Sequence, residues 1–511
     1  MMSLACYGAV EPNINPEQAN ASMTSLRQPI GQTLLDQFAT LLGPKGFSAN
    51  ADEMAPWLSD WRGIYRGAAA ALLSPGSTAE VAAVVRLANA NRIALVPQGG
   101  NTSMVGGATP RADGQSLIVS LRRMNRIRTL DPDALVAVAE AGVILETLHE
   151  AARTRQCRFP LTLGAKGSAT IGGLVSTNAG GTQVLRFGTM RKLVLGIEAV
   201  LPDGNIFDGL AALKKDNRGY DLTQLLIGAE GTLGIVTAAS LKLVPAVADR
   251  AAAWIGVESP QSALGLLRFL EARSALAIES FEIVAAHSLT LVLDHIAGTR
   301  APLAQPHPWN VLVEYVEMTP GVSATELLTR HIGEAYEAGL VRDAAIAKSE
   351  AEIAAFWRLR DSISEAERVS GPAMQHDISV PVDAMPDFMI DAAAAVERAF
   401  PGTSASAFGH LGDGNVHFHV RAPATIGADA AADWRAGPGN AASQMVYDLV
   451  TAAKGSISAE HGIGQMKRAE LLRQSDPARI TVLRAIKSAL DPIGIMNPGK
   501  LVPLASDAAG E

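Results

Sequence analysis

Apolar and polar positions along the chain alternate between two periodicities. Residues 31–43, GQTLLDQFATLLG, place apolar side chains three or four apart and end at a glycine, which predicts an amphipathic helix. Residues 77–91 repeat this pattern behind Ser77, a predicted N-cap that Glu80 follows three residues later. The next residues, IALVPQ, predict a short buried strand. The folded part of the chain therefore begins as an alternation of helix and strand.

Later segments continue this alternation. Strands are predicted in SLIVSL, ALVAVAEAGV, VLGIEAVLPDG, GIVTAASLKLV and NVLVEYVEM, and one helix is predicted to contain AEIAAFWRLRDSISEAER. A helix from about Asn440 and a last helix, PARITVLRAIKSALD, follow, whereas ADAAADW with the neighbouring GPGN is interpreted as an exposed surface connection. The predicted divisions of the chain are a lead-in over 1–27, a first domain over 28–245, a second over 246–454 and a C-terminal segment over 455–511.

Composition and charge exclude several classes of protein. The 511 residues are 48% hydrophobic and 18% charged, as in a globular protein, and the net charge of −8 argues against nucleic acid as a main partner. Cys6 and Cys157 are too few for a disulfide framework, so we expect a reducing compartment, the cytoplasm. The N-terminus lacks the pattern of a secretory signal, and no run of about eighteen apolar residues predicts a membrane span.

Three glycine-rich segments suggest a phosphate-bearing cofactor. They are GGNTSMVGG at 99–107, GAKGSATIGGLVSTNAGG at 164–181 and GAEGTLGIV at 228–236. Glycines let backbone N–H groups approach a diphosphate closely, although each segment alone could be a structural turn. No G-x-G-x-x-G motif opens a helix after a strand; GPGNAA at 437 contains Pro438 and follows a surface loop. The predicted cofactor is therefore bound outside the Rossmann scheme.

The stretch GHLGDGNVHFHV at 409–420 is a candidate metal site. Strand alternation puts His417 and His419 on one face, and the GDG turn folds His410 back toward them. The segment SAEHG can add Glu460 from far along the chain. Two histidines and one carboxylate leave an open position, as a catalytic metal requires. A polar hairpin with histidines bonded to backbone groups is the alternative.

Several motifs together carry a family resemblance. PQGGNTSMVGG, LGAKGSATIGGLVSTNAGG, KKDNRGYDLTQLLIGAEGTLGIVT, GHLGDGNVH, SAEHGIGQMKR and MNPGKLV resemble, in this order, the signatures of flavin-linked D-2-hydroxyacid dehydrogenases. These belong to the fold family of vanillyl-alcohol oxidase, and the D-2-hydroxyglutarate dehydrogenases are the branch that the motifs resemble most. The resemblance implies an α+β fold with a two-subdomain FAD-binding domain, an α+β substrate-binding cap domain over 246–454, and a C-terminal segment that returns to the FAD domain.

The resemblance also implies the roles of individual residues. Asn101 stands where some relatives carry a histidine that tethers the flavin, so we expect non-covalent FAD. His410, His417 and Glu460 match ligands of a divalent metal, usually zinc, and His461 matches the base that takes the hydroxyl proton as hydride passes to flavin N5. The matching cofactor-binding residues are Pro97, Gln98, Gly99, Gly100, Asn101, Thr102, Met104, Val105, Gly106, Gly164, Ala165, Gly167, Ser168, Ile171, Gly172, Gly173, Ser176, Thr177, Asn178, Gly180, Gly181, Glu230, Gly231, Gly234, Ile235, Val236 and Asn497.

The implied substrate site departs from the family pattern. Arg360 and Ser364 match substrate contacts and, four apart, are expected on one helix face, with Ser364 where a threonine is usual. Gln375 replaces the usual lysine and His419 a common asparagine, which weakens the case for a second carboxylate on the substrate. D-2-hydroxyglutarate is therefore the first choice, and a monocarboxylate such as D-lactate or D-mandelate is the alternative.

The last expectations concern the electron acceptor, the oligomeric state and competing functions. The expected electron acceptor is a protein, such as an electron-transfer flavoprotein, or a quinone, and a homodimer is one alternative for the oligomeric state. Two other kinds of function compete with the dehydrogenase. One is a metallohydrolase or iron(II) oxygenase built on the two histidines and one carboxylate without a flavin, and the other is a non-catalytic nucleotide-binding protein.

Overall fold

The computed structural model describes residues 30–503, apart from residues 214 and 275. The predicted lead-in over 1–27, together with Cys6, lies outside the described residues. Cys157 is buried and free.

The first sheet has four strands and is mostly parallel. Its strands are β1 (Phe47–Ser48), β2 (Ala71–Leu73), β3 (Ala94–Gln98) and β4 (Ser116–Ser120), in the order β1-β2-β4-β3. The helices of this part are α1 (Gln32–Leu42), α2 (Ala51–Met54) and α3 (Thr78–Ala90), with a short 3-10 helix at Ala55–Trp57. The predicted N-cap is confirmed, since Ser77 Oγ accepts a hydrogen bond of 3.2 Å from the N–H of Glu80.

A second, antiparallel sheet follows in the chain. The next strands are β5 (Ile127–Asp131), β6 (Val136–Glu140), β7 (Cys157–Arg158), β8 (Val194–Val200), β9 (Ile206–Asp208), β10 (Ile235–Lys242) and β11 (Val244–Pro245). The sheet has the order β5-β6-β10-β8-β9, and β7 pairs separately with β11. The accompanying helices are α4 (Leu145–Arg153), α5 (Ile171–Thr177), α6 (Val184–Phe187), α7 (Met190–Leu193) and α8 (Leu222–Leu226).

The third sheet is antiparallel and has seven strands. They are β12 (Asp249–Val257), β13 (Ile278–Ala285), β14 (Trp309–Glu317), β15 (Asp343–Ile346), β16 (Ala373–Ser379), β17 (Ser404–His410) and β18 (Asn415–Arg421). Their order in the sheet is β15-β12-β14-β13-β17-β18-β16. The hairpin of β17 and β18 therefore lies between β13 and β16, so side chains from all four strands can meet.

Helices cover this sheet and complete the chain. They are α9 (Pro260–Ser274), α10 (Ala286–His295), α11 (Ala324–Glu337), α12 (Glu350–Asp361), α13 (Ile363–Val369), α14 (Met385–Ala399), α15 (Ala431–Trp434), α16 (Asn440–Ala452), α17 (Arg468–Gln474) and α18 (Pro477–Leu490). One face of the sheet packs under α9, α11, α14 and α16, and their apolar residues form the largest buried cluster.

Two predicted elements need correction. The single helix expected over AEIAAFWRLRDSISEAER is interrupted at Ser362, which separates α12 from α13. The surface connection expected at ADAAADW and GPGN is helical instead: a 3-10 turn at Ala428–Ala430, α15 and a π-helix at Arg435–Gly439 lead directly into α16. Trp434 explains the second difference, because its large side chain is buried and holds this segment against the protein.

The C-terminal segment returns to the first sheet, as expected. Leu95 in β3 donates its N–H to Ile495 O and accepts the N–H of Asn497, both at 2.8 Å. Ile495 and Met496 lie in the apolar cluster that surrounds Leu95. The expected α+β architecture is confirmed. Within residues 30–503, none of the helices combines the length and apolar character that a membrane span requires.

Candidate active site

A cavity of about 750 Å³ lies where the glycine-rich segments face the seven-stranded sheet. One side, called here the glycine wall, consists of the segments 99–107, 164–181 and 228–236. Another part of the lining, called here the histidine wall, consists of His410, His417, Glu460 and His461. The cavity therefore joins the predicted cofactor loops and the predicted catalytic residues in one continuous space.

Glycines in the glycine wall are required where its loops touch one another. A Cβ at Gly99 would collide with Thr170 Oγ1, and one at Gly100 would collide with the carbonyl of Ser168. A Cβ at Gly181 would likewise collide with the carbonyl of Thr162. The paired glycines thus allow the loops to interlock, in addition to bringing backbone close to a ligand. At Gly164, by contrast, a Cβ would meet no atom within 4 Å.

Polar atoms without partners within the protein occur along the cavity. Gln98 Oε1, Thr170 Oγ1 and Asn497 Oδ1 are buried and have no hydrogen-bond partner among the described residues, although all three residues line the cavity. Buried polar atoms are normally satisfied, so these atoms require a ligand or water. A cavity of this volume, lined by glycines and by polar atoms of this kind, fits a dinucleotide such as FAD.

Most of the predicted cofactor residues line this cavity, and five do not. The five are Val105, Gly106, Gly167, Ile171 and Asn178. The side chains of Val105 and Ile171 are buried in the protein interior, Gly106 packs against Tyr65 and Gln465, and a Cβ at Gly167 would face Glu146. Asn178 ends α5 in the left-handed conformation and accepts the N–H of Arg191. These residues shape the loops behind the wall.

The predicted metal ligands come together at the histidine wall. One ligand atom from each of His410, His417 and Glu460 lies within 4.8 Å of the others, and the two imidazole rings are 5.6 Å apart between centroids. The β17–β18 pairing causes this, because His410 opposes Asn415 and the turn between them returns His417 to the same face. Glu460 Oε1 is buried without a partner in the described part of the chain. Two imidazoles and a carboxylate fit a divalent metal such as zinc.

Glu282 orients one of these histidines. It lies on β13, which pairs with β17, and its Oε1 accepts a hydrogen bond of 2.6 Å from His410 Nδ1. Burial opposes a charge on His410, but Glu282 outweighs it and raises the pKa of His410 to about 9. Arg360 donates to the second oxygen of Glu282 at 2.8 Å and reaches to 3.2 Å from His410 Nε2. A metal on Nε2 would leave the Nδ1 hydrogen bond intact.

Asp377 organises the segment that carries Glu460 and His461. Its Oδ2 accepts the backbone N–H groups of both residues at 3.0 Å and lies 3.4 Å from His461 Nδ1. Asn415 donates to its other oxygen at 3.0 Å. Burial raises the pKa of Asp377, but the charges of His461 and Lys467 outweigh burial and hold that pKa below its usual range. Burial lowers the pKa of His461, and it outweighs the negative charge of Asp377, which raises that pKa.

A second carboxylate ties this segment to the glycine wall. Glu230 accepts the N–H groups of Ile463 and Gly464, both at 2.7 Å, just after His461 in the chain. Asn497 Nδ2 donates to the carbonyls of Glu230 at 2.7 Å and of Gly107 at 3.0 Å. His461 is therefore held from both sides of the cavity, by Asp377 and Glu230.

Of the predicted substrate residues, Arg360 lines the cavity and the other three do not. Ser364 lies beyond the break between α12 and α13, and its side chain is exposed. Gln375 and His419 oppose each other across β16 and β18, next to Glu367. Burial lowers the pKa of His419 to about 4, so its ring is neutral near pH 7. Gln375 Nε2 and His419 Nδ1 are buried without a hydrogen-bond partner among the described residues, and a role of all three residues in the substrate site stays a prediction.

Sequence reasoning missed several residues around the site. Asp377 had a signal, because it is two residues after Gln375 in MQHDISVP and so shares its strand face. Glu282 also had one, as a carboxylate within the otherwise apolar run FEIVA. Trp61 and Arg368 both line the cavity, but nothing in their sequence context distinguished them from surface residues.

Comparisons with known proteins agree with this geometry. A family model described as FAD binding domain matches residues 69–209, and one described as FAD linked oxidases, C-terminal domain, matches residues 247–501. The chain is 36% identical over 494 residues to D-2-hydroxyglutarate dehydrogenase, mitochondrial, from Arabidopsis thaliana, covering 95% of this chain and 85% of that protein. It is 38% identical to D-2-hydroxyglutarate dehydrogenase from Xanthomonas citri pv. viticola, covering 86% and 91%.

Solved structures share the fold at much lower identity. p-Cresol methylhydroxylase with substrate bound superposes with a TM-score of 0.71 at 16% identity, covering 93% of this chain and 98% of that chain. A 4-ethylphenol oxidase from Gulosibacter chungangensis in complex with isoeugenol gives a TM-score of 0.68 at 18% identity, covering 93% and 98%.

Proposed function

Since this chain belongs to the FAD-linked D-2-hydroxyacid dehydrogenases of the vanillyl-alcohol oxidase fold family, we propose that it oxidises D-2-hydroxyglutarate to the 2-oxoacid in a metal-dependent reaction. Family membership supports FAD-dependent oxidation of a D-2-hydroxyacid. The metal, the base and the identity of the acid are the proposal. The observation that supports it is the position of His410, His417, Glu460 and His461 at one end of a cavity that fits FAD.

Each part of the site has a separate chemical task. FAD supplies, when bound along the glycine wall, a two-electron acceptor for the α-hydrogen of the substrate, which leaves as hydride. A divalent metal held by His410, His417 and Glu460 supplies a Lewis acid that lowers the pKa of the substrate hydroxyl. His461 then takes the hydroxyl proton, and loss of the hydride and the proton together converts the alcohol to the ketone.

The surroundings of His461 suit a base. Its Nδ1 faces Asp377, which favours the tautomer with a proton on Nδ1 and leaves Nε2 free to accept one. The lowered pKa of His461 keeps the ring neutral near pH 7. Arg360, fixed by Glu282 beside His410, is placed to orient the substrate carboxylate near the metal ligands.

The choice of D-2-hydroxyglutarate comes from the names of the similar proteins. A mitochondrial protein of Schizosaccharomyces pombe that is 32% identical over 96% of this chain is named putative D-lactate dehydrogenase, so a monocarboxylate remains the second candidate. A metallohydrolase or oxygenase without flavin has no support in a family of FAD-linked enzymes. An acceptor protein or quinone and a cytoplasmic location stay predictions.

Spectroscopy and turnover test this proposal directly. The purified protein should show the absorbance of an oxidised flavin, and D-2-hydroxyglutarate should bleach it without oxygen. A colourless, folded protein that cannot be reconstituted with FAD would contradict the flavin assignment. Hydrogen peroxide formed in near-stoichiometric yield would instead identify an oxidase. If D-lactate or D-mandelate gives the highest kcat/KM, the reaction stands and the substrate is corrected.

A further inference from the structure

Arg368 is a cationic residue of the cavity for which the family pattern gives no role. Among the described residues that line the cavity, the lysine and arginine side chains are Arg360 and Arg368. The guanidinium of Arg360 is already bound to Glu282 at 2.8 Å, with both side chains largely buried. The side chain of Arg368 is exposed and makes no hydrogen bond or ion pair with any residue of the described part of the chain. Its positive charge is therefore available to a ligand.

An aromatic ring orients this free guanidinium. Arg368 Cζ lies 5.5 Å from the ring centroid of Trp61, which also lines the cavity and is 49% exposed. Trp61 lies between α2 and β2, whereas Arg368 is on α13, so the pair brings two distant parts of the chain together at the cavity. An arginine stacked on an aromatic ring keeps its N–H donors free for a carboxylate. The pair thus presents an oriented cation at the cavity.

The spacing between the two arginines suits a substrate with two acidic ends. Arg360 lies beside His410 at the histidine wall, and Arg368 follows it by about two helical turns, or about 12 Å along the helices. Both arginine side chains are long enough to bridge part of that separation. A 2-hydroxyacid held at the histidine wall by its hydroxyl and first carboxylate can therefore extend a second anionic group toward Arg368.

We infer that Arg368, stacked on Trp61, binds the second carboxylate of a dicarboxylic D-2-hydroxyacid. It supplies from α13 the positive charge that Gln375 does not supply from β16. Gln375 is not among the residues that line the cavity, and it opposes His419 across β16 and β18. This inference rests on the proposed function and names the residue that selects the substrate.

Substrate preference of the holoenzyme tests the inference. The ratio of kcat/KM for D-2-hydroxyglutarate to kcat/KM for D-lactate, measured with an artificial electron acceptor, should fall about 10- to 100-fold in Arg368→Gln, the usual worth of a charge-assisted hydrogen bond. Arg368→Lys should recover part of this ratio, because lysine keeps the charge but not the planar fork. Trp61→Leu should lower the ratio less than Arg368→Gln, since the charge remains.

Two other variants exclude a general effect of charge. Arg358→Gln removes a positive charge from α12 that does not line the cavity, since the Arg358 guanidinium donates to the carbonyl of Ala297 at 2.8 Å. The ratio of kcat/KM values should therefore stay unchanged in this variant. Gln375→Lys should also change it little. The inference is wrong if Arg368→Gln leaves the ratio within twofold of the unmodified enzyme, or if Arg358→Gln lowers it equally.

A binding measurement separates this inference from the proposed function. Perturbation of the flavin spectrum by 2-oxoglutarate and by pyruvate gives two dissociation constants without turnover. Weaker binding of 2-oxoglutarate alone in Arg368→Gln supports the inference even if the acceptor or the base has been misassigned. An unmodified enzyme that oxidises no D-2-hydroxyacid and binds neither 2-oxoacid overturns both. An unmodified enzyme that oxidises D-lactate, and whose ratio of kcat/KM values does not change in Arg368→Gln, overturns the inference alone.

Discussion

The two walls of the cavity bind their ligands by opposite means. The glycine wall uses backbone and small side chains, and at Gly99, Gly100 and Gly181 no Cβ fits between its loops. The histidine wall uses ionisable side chains that are buried or half-buried, two of which are oriented by a carboxylate: Glu282 orients His410 and Asp377 orients His461. The first wall should therefore be damaged by adding atoms, and the second by removing charges or hydrogen-bonding groups.

Removal of the metal should have the largest effect. Chelation is expected to abolish turnover while the flavin stays bound, because the proposed ligands His410, His417 and Glu460 all belong to the histidine wall. Activity and flavin absorbance after dialysis against a chelator measure the two effects separately. Restoration of activity by added zinc is the control. Loss of flavin together with the metal would show that the walls do not bind independently.

His461→Ala should lower kcat by about two to four orders of magnitude, the usual contribution of general acid–base catalysis. Flavin content should not change, since the side chain of His461 faces Asp377 and belongs to the histidine wall. His295→Ala, at an exposed position at the end of α10, is the matched control. If kcat barely changes in His461→Ala, this residue only orients its neighbour Glu460.

Glu282→Gln should weaken metal binding about 10- to 100-fold, because residues that orient metal ligands usually contribute this much. Metal content and activity at controlled free zinc measure the change. Glu279→Gln is a demanding control: Glu279 lies on the same strand, is equally buried, and pairs with Arg158 and Arg186 away from the metal ligands. Equal loss of metal in both variants would mean that any buried charge on β13 matters, and not the contact with His410.

A pair of glycine variants should give the smallest effects, and they test whether the glycine wall and the histidine wall bind flavin and metal separately. Gly100→Ala should destabilise the glycine wall by about 1–3 kcal/mol through overpacking and release flavin. At Gly180 a Cβ would instead lie 2.7 Å from Glu460 Oε1, so Gly180→Ala should weaken metal binding more than flavin binding. Flavin and metal content after gel filtration distinguish them. Gly333→Ala, at an exposed helical position without neighbours within 4 Å, is the control.

Much of the site could be predicted because local rules apply to it. The alternation along β18 predicts that His417 and His419 share one face of the sheet and that Phe418 lies on the other. The structure confirms this, because both histidine rings contact Phe408, whereas Phe418 packs in the apolar cluster on the opposite face. The turn at GDG fixes the position of His410 relative to His417, since the two strands it joins pair in register. The helix at 78–90 was likewise predictable from its cap and periodicity.

The remaining features depend on which elements become neighbours. Glu282 reaches His410 only because β13 pairs with β17, and Asp377 reaches His461 only because β16 lies beside β18 and the segment after α16 packs against it. His419 was expected in the substrate site because it stands where the family commonly has an asparagine. It is not among the residues that line the cavity, since two residues along a strand move a side chain by about 7 Å, at about 3.4 Å per residue.

The sequence by itself therefore determined the FAD-linked fold, the cofactor loops and the histidine pair, since periodicity, turn residues and motif order are local properties of the chain. Tertiary structure alone decided which charges surround these groups. It bound Arg360 to Glu282, placed Arg368 over Trp61, and paired Gln375 with His419 away from the residues that line the cavity. Pairings of this kind join residues tens to hundreds of positions apart, and only packing and burial, not spacing along the chain, select them.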